Sequence, residues 1–245
     1  MEAEMNIVIS LGGSIVAPQE GPSGIFLMQF RKILLSWLNE DDRRVIIVVG
    51  GGAAARNWQK AYREFLSNFR EVNGDGGLRD FARANEALDR IGIAATRLNA
   101  QLIKEVFADF CIDPIINDPS SSFEANGRIL VAAGWKPGFS TDYDAVLLAE
   151  RFCAKKVINL SNINQIYDSD PRINPDAKPL TRITFDSLIK MTGADWNPGA
   201  NVPFDPVAAA RAREIGLKVI FASGTNLQNL SDILYEKAFI GTIIE

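Results

Sequence analysis

Two runs of consecutive apolar residues lead straight into glycine, and this pairing limits the fold more than any other feature of the chain. Asn6–Leu11 (NIVISL) meets Gly12-Gly13-Ser14, and Arg44–Val49 (RVIIVV) meets Gly50-Gly51-Gly52. A strand that is apolar at every position is covered on both faces, as in a parallel sheet. Helical patterns follow both runs: Ile25–Leu38, apolar at 27, 30, 34, 35 and 38, and a helix from about Ala53 to Phe65. Strand, glycine and helix in alternation predict an α/β fold.

The rest of the chain continues the alternation. Residues 66–79 are polar and rich in Gly and Asn, and read as a flexible excursion. Helical text resumes at Asp80 and runs to Phe110, with a break at Gly92. Short strands are predicted at Asp113–Ile116, Arg128–Ala132, Lys156–Leu160, Val219–Ala222 and Gly241–Ile244. Helices are predicted at Tyr143–Cys153, Phe185–Met191 and Leu227–Tyr235, and another opens at Asp205-Pro206 and closes at Gly216. In the last, a carboxylate stands at the N-cap and proline at the first turn. Pro119–Asn126 and residues 161–180 read as loops. Trp135-Lys136-Pro137-Gly138 before Asp142 has an echo in Trp196-Asn197-Pro198-Gly199 before Asp205.

Composition narrows the chemistry. The chain has 245 residues, enough for one domain or two closely joined lobes, and no histidine. Without histidine, Ser-His-Asp and Cys-His catalysis and most zinc sites are excluded. Lys, Arg, carboxylates, hydroxyls and backbone amides remain, and phosphoryl transfer is chemistry of that kind. The net charge of −4 argues against a nucleic-acid surface. No apolar run is long enough to span a membrane. Cys111 and Cys153 are expected to be buried thiols in a reducing cytosol, and the acidic start Met1-Glu2-Ala3-Glu4 does not read as a signal peptide.

Both glycine turns are candidate phosphate sites. Glycine lets a phosphate approach the backbone, and the following helix adds its positive end. Arg56, one turn inside the second helix, can reach back over the site. Residues 50–55 (GGGAAA) also satisfy the G-x-G-x-x-A dinucleotide form, but the acidic strand end expected about 20 residues on is missing. No G-x-x-x-x-G-K-[ST] is present. Ser140-Thr141-Asp142 reads as a helix cap whose hydroxyls can also face a phosphate.

These motifs, in this order, resemble the amino acid kinase superfamily, and within it the archaeal type of UMP kinase. The resemblance spans nearly the whole chain. It rests on Gly12-Gly13-Ser14; Val49-Gly50-Gly51-Gly52 with Arg56; Ile91-Gly92-Ile93 followed by Thr96-Arg97-Leu98-Asn99-Ala100; and Gly138-Phe139-Ser140-Thr141-Asp142. It continues with Asn162–Tyr167, Asp170-Pro171, Asp205–Ala209 and Gly241–Glu245. The resemblance implies a three-layer αβα sandwich with a mostly parallel central sheet. It implies one domain over 1–245, with an acceptor lobe at about 1–150 and an ATP lobe at about 151–245. ATP with Mg²⁺, UMP as acceptor, a cytoplasmic location and a homohexamer are implied too.

Carried over by position, Gly12, Gly13, Gly52 and Arg56 would hold ATP phosphates, with Ser161, Tyr167 and Asp170 at the ATP nucleoside. Gly51, Asp89 and the segment Trp135, Lys136, Pro137, Gly138, Phe139, Ser140 and Thr141 would hold UMP. Asp142 would organise the catalytic cations, and Arg56 and Lys136 would meet the transferring group. The sequence departs from the family pattern in four places. Ser10 stands where many relatives carry Lys, and Trp135-Lys136 where Gly-Thr is usual. Ile163-Asn164-Gln165-Ile166-Tyr167 replaces Val-Asp-Gly-Val-Tyr, and the stretch between Arg56 and Asp89 is long. Rival readings are a carboxylate or carbamate kinase of the same superfamily, a nucleotide-binding regulator or storage protein, and a nicotinamide-dependent oxidoreductase.

Overall fold

The computed structural model describes residues 7–73, 84–193 and 202–245. The first half contains β1 (Ile7–Leu11), α1 (Gly13–Val16), α2 (Gly24–Leu38), β2 (Val45–Val49), α3 (Gly52–Asn73), α4 (Ala84–Val106), β3 (Ile129–Ala132) and α5 (Thr141–Arg151). The second contains β4 (Lys156–Ser161), β5 (Ile166–Tyr167), β6 (Pro179–Leu180), β7 (Arg182–Ile183), α6 (Phe185–Thr192), α7 (Pro206–Glu214), β8 (Lys218–Ser223), α8 (Leu227–Leu234) and β9 (Thr242–Ile244).

Seven strands form one sheet in the order β3-β2-β1-β4-β8-β9-β7, parallel except where β9 runs against β8. Strands β1 and β2 are buried at every position, as their unbroken apolar runs require. Alternate residues serve opposite faces. Ile7, Ile9 and Leu11 join the core under α2, α4 and α8, while Val8, Ile46 and Val48 join the core under α5, α6 and α7. Helices on both faces of a mostly parallel sheet make the expected three-layer αβα sandwich. The chain turns outward in both directions from β1, with β2 and β3 on one side and β4 and β8 on the other. In open α/β sheets, ligands bind at such a switch point, beyond the carboxyl ends of the strands.

Asp205 caps α7 by accepting from the Val207 and Ala208 amides, and Gly216 closes that helix at φ +63°. Other elements depart from the sequence reading. Helix α3 continues past Phe65 to Asn73, so the polar stretch begins as helix and is outside the described residues beyond Asn73. Phe65 and Phe69, four residues apart, lie 5.8 Å centroid to centroid and carry the extension. Gly92 does not break α4. A Cβ there would meet the Gln59 amide at 2.8 Å, so the glycine serves close approach of α3. Helix α4 ends at Val106, short of Phe110.

Asp113–Ile116 makes only one bridge, Ile116 to Ala132, because the Asp113 carboxylate instead accepts from the Asn126 and Gly127 amides and fixes a loop. The long loop 161–180 contains the β5–β6 hairpin, and β7 docks beside β9. Cys111 is buried, but Cys153 is exposed, just past α5 at φ 52°. The Trp196–Gly199 half of the loop echo lies outside the described residues.

Candidate active site

At the carboxyl end of β1, the Gly12 amide donates to Leu160 O of β4 at 2.9 Å. The first glycine turn packs directly on the second. A Cβ on Gly13 would lie 1.9 Å from Gly52 N, and one on Gly50 would lie 2.5 Å from Gly13 N. Gly52 has φ +65°, and a Cβ there would fall 2.2 Å from Gly13 O. No other residue type fits this backbone-on-backbone contact. It joins the start of the 22-residue helix α3 to the end of β1, so two sets of turn amides share one small space.

Helix α4 holds the second turn from below. Asn99 donates to Gly50 O at 2.8 Å and to Gly51 O at 3.1 Å. Thr96 accepts from the Gly134 amide at 2.9 Å and thereby ties the loop after β3 to the same helix. A Cβ on Gly51 would press on Ala55 at 2.7 Å. Arg56 reaches from α3 across to the first turn, its Nη1 3.1 Å from Ser14 Oγ. The two glycine turns, each a candidate phosphate site from sequence, and Arg56, expected to reach back over the second, are therefore neighbours.

Residues 133–141 form the opposite wall. Asp89, on α4, accepts from the Gly138 amide at 2.8 Å, so it fastens this loop. Gly138 takes φ +90°. Trp135, Phe139 and Tyr143 form an aromatic ladder with centroid spacings of 5.1 and 5.0 Å. Lys136 lays its ammonium 3.7 Å from the centre of the Trp135 ring. This cation–π contact, rather than a tight turn, sets the direction of its side chain.

Three carboxylates lie behind that wall. Asp142 accepts from Ser10 Oγ at 2.9 Å and from Asn159 Nδ2 at 2.7 Å, which links β1, β4 and α5 at the switch point. Burial pushes its carboxyl up to about 6, and the nearby Asp205 adds to the rise. Asp205 is raised too, chiefly by burial, although the Ser140 hydroxyl donates to it. Asp144 is fully buried. Its Oδ2 accepts from the Trp135 amide at 3.1 Å while Oδ1 has no hydrogen-bond partner. Burial, with Asp142 beside it, pushes Asp144 up to about 7.

A raised carboxyl favours the folded state at low pH and weighs against it as pH rises through the folded value. Asp144→Asn should therefore raise stability at about pH 8.5 by about 2–4 kcal/mol, and by less than half as much near about pH 5. Urea midpoints at the two pH values check this. Equal gains at both would show that Asp144 does not titrate in the folded protein.

The remaining predicted residues stand at the end of β4 and on the β5–β6 hairpin. Ser161 O accepts from the Gly224 amide at 2.8 Å, which ties β4 to the loop after β8. Tyr167 pairs with Pro179 in the hairpin, and Ile166 N donates to Thr242 Oγ1 at 2.9 Å, which seats the hairpin over β9. Asp170 binds Arg172 at 2.7 Å, and that bond holds its carboxyl down to about 2. Ser161 thus sits beside the first glycine turn, while Tyr167 and Asp170 lie farther out on the hairpin.

Sequence reasoning passed over Ser10, Asn159 and Asp144 as members of the site. The signal for Asp144 was present: it shares one helical face with Ala145 and Leu148, both buried. Thr96 and Asn99 stood inside a quoted motif without a role. Among the described residues, no group of three or more His, Cys, Asp or Glu is placed to hold a metal ion.

Residues 5–223 match the model of the amino acid kinase family. The chain belongs to the amino acid kinase family. Similar curated members include a uridylate kinase of Thermoplasma volcanium, 34% identical over 98% of this chain and 97% of that one. Another, from Methanocaldococcus jannaschii, is 32% identical over 98% and 100%. A crystal structure of uridylate kinase from Archaeoglobus fulgidus superposes with a TM-score of 0.76 at 29% identity, covering 98% of this chain and all of that one. A UMP kinase of Bacillus anthracis, at 18% identity and a TM-score of 0.70, shares the fold. The family's three-layer architecture is the one seen here.

Proposed function

We propose that this chain transfers the γ-phosphoryl group of Mg·ATP to UMP, giving ADP and UDP. The observation that carries the reading is the contact of the two glycine turns at the β1 switch point, with the 133–141 loop facing them. Two phosphates held by adjoining backbone amides stand close enough for direct transfer. Full-length similarity to archaeal uridylate kinases supplies the acceptor.

In this reading Gly12, Gly13, Gly52 and Arg56 hold the donor phosphates, and Ser161, Tyr167 and Asp170 line the donor nucleoside. Gly51, Asp89 and Trp135–Thr141 hold UMP. The UMP oxygen attacks in line and ADP leaves. No covalent enzyme intermediate forms, and no general base is needed because the attacking oxygen is already anionic. Turn amides and Arg56 stabilise charge spread over the equatorial oxygens. Lys136, held on the Trp135 ring, would have to leave that ring to add a second cation. Asp142 keeps Ser10 and Asn159 fixed behind the donor phosphates. Magnesium would arrive with ATP and would supply positive charge to its phosphate oxygens.

The acceptor lobe corresponds to about residues 1–150 and the donor lobe to about 151–245. A homo-oligomer fits the outer face of α3, where Trp58 is 70% and Phe65 52% exposed, with Tyr62 stacked on Phe65. Exposed aromatics in such a row mark an association surface, and the resemblance to hexameric relatives supplies a second copy as its occupant. The reaction belongs in the cytoplasm, where both nucleotides are made.

The test is ADP release from Mg·ATP with UMP, with CMP and without acceptor. Release should depend on UMP, and CMP should serve poorly. ATP binding with no UMP-dependent release would refute the enzyme and favour a nucleotide-binding regulator.

A further inference from the structure

Among the described residues, only Asp144 has a buried side-chain oxygen or nitrogen with no hydrogen-bond partner. The atom is Oδ1, on a residue with no exposed surface. The other oxygen, Oδ2, accepts from the Trp135 amide at 3.1 Å. Phosphoryl transfer as derived above uses neither atom.

The charges that act on this carboxyl most strongly are all negative. Asp142 precedes it on α5, Asp205 opens α7 beside it, and Asp118 lies in the loop after the Ile116 bridge. Strands β1 and β2, which pack against α5, carry no charged residue. Cations on the surrounding elements are engaged elsewhere. Lys156 of β4 pairs with Glu236, and Arg211 and Arg213 of α7 pair with Glu150 and Asp186. Arg151, at the far end of α5, donates to Pro119 O, and Lys136 rests on the Trp135 ring. A buried carboxylate without a cation costs far more than a buried neutral acid. Burial, with the three carboxylates adding to it, pushes Asp144 up to about 7.

Trp135 is thus held by two carboxyl groups in different states. Its indole N–H donates to Asp118, which the Ser120 hydroxyl and amide, together with the indole, hold below the usual carboxylate range. Its main-chain N–H is held by Asp144. Phe139 packs on the same indole, and Lys136 lies over it, so Trp135 sets the course of the 133–141 loop. Asp144 stands one hydrogen bond behind the main chain of that loop. An anion bound at the front of the loop and a carboxylate at its back repel each other through a wall one residue thick.

Building on the acceptor role assigned to the 133–141 loop, we propose that Asp144 is a positioning residue for the acceptor: a neutral acid that fixes the Trp135 amide and takes up a proton as the anionic acceptor binds. The proton comes from solvent. Binding and protonation are then linked, so a bound acceptor raises the carboxyl further. Acceptor affinity is highest with Asp144 neutral and falls as pH rises through about 7.

Calorimetric titration with UMP, in two buffers of unlike ionisation enthalpy, counts the protons. The UMP phosphate titrates in every protein alike, so the difference between wild type and Asp144→Asn isolates this residue. The asparagine keeps an oxygen for the Trp135 amide and cannot ionise. At about pH 7.5 the wild type should take up about half a proton more per UMP than the variant. Relative to the variant, wild-type affinity for UMP should fall about tenfold between about pH 6 and about pH 9, the effect of one like-charge neighbour. A purely structural role would leave the two pH profiles parallel. UMP bound with equal proton counts and parallel profiles would overturn the inference and leave the proposed function standing. No UMP binding by the wild type would overturn both. Should the variant not fold, infrared spectra of the wild type decide. At about pH 7.5, UMP should strengthen the carbonyl band of a protonated carboxyl group. An unchanged band with UMP bound would overturn the inference.

Discussion

Gly13→Ala should lower stability by about 3 kcal/mol and turnover by roughly 10³-fold or more. The added Cβ would lie 1.9 Å from Gly52 N, 2.6 Å from Gly52 Cα and 2.7 Å from Gly50 C. All three are backbone atoms, so no side chain can rotate away. The two turns must separate, and their amides shift together. A misplacement of about 1 Å at reacting groups costs about 10²-fold on its own, and here donor and acceptor sites move at once. Gly24→Ala is the control. It opens α2, and a Cβ there meets nothing within 4 Å, so stability should change by less than about 0.5 kcal/mol. Urea unfolding and steady-state rates on both variants check the pair. A Gly13→Ala enzyme with native rates would show that the contact of the turns does not align the phosphates.

Arg56→Ala should reduce kcat by roughly 10²–10³-fold, with a much smaller loss of ATP affinity. Arg56 is an exposed residue whose guanidinium bonds only lightly, at 3.1 Å, to the Ser14 hydroxyl. Its removal leaves no buried group unpaired, so the fold should hold. The position nonetheless spans both turns, where charge builds on the transferring group. With Ser10 in place of a lysine and Lys136 resting on Trp135, Arg56 is the cation that the proposed function relies on at the phosphates. Rapid-quench rates and ATP binding by the same variant separate the two effects. Equal losses in kcat and ATP affinity would limit Arg56 to holding the donor phosphates, with no added contact in the transition state.

The layers of the fold were legible in the sequence because β1, β2, β3, β4 and β8 each bury an apolar run, and a parallel strand covered on both faces has no polar side. Strands β5, β6 and β7 were not legible. Two residues cannot display a period, and these strands exist through partners far along the chain, such as Thr242 and Ile243. The reach of α3 to Asn73 was missed because polar composition was read as loop, although arginine and glutamate are good helix formers. Gly92 was read as a break, whereas α4 runs through it and the Gln59 side chain packs against it.

Within the site, the glycine turns and Arg56 were readable as local motifs. Their direct contact was not, because it depends on β1 and β2 lying side by side. Ser10 was read as a lost lysine, and only the fold shows that its hydroxyl meets Asp142. Lys136 was expected to point at phosphates, and an aromatic neighbour one residue away turns it onto a ring. Asp89 was expected at the acceptor, and its carboxylate holds the Gly138 amide of the 133–141 loop. Asp144, a carboxylate with no exposed surface, drew no notice because an acidic residue in the first turn of a helix is ordinarily solvated and favourable there.

The central claim is that backbone turns in contact align donor and acceptor for one direct transfer. Its most direct test is the stereochemical course at phosphorus, using ATP made chiral at the γ-position with oxygen isotopes and UMP as acceptor. A single in-line displacement inverts configuration, so the β-phosphoryl group of the UDP product should be inverted. Retention would mean two successive displacements through a phosphorylated enzyme group, and would contradict the account.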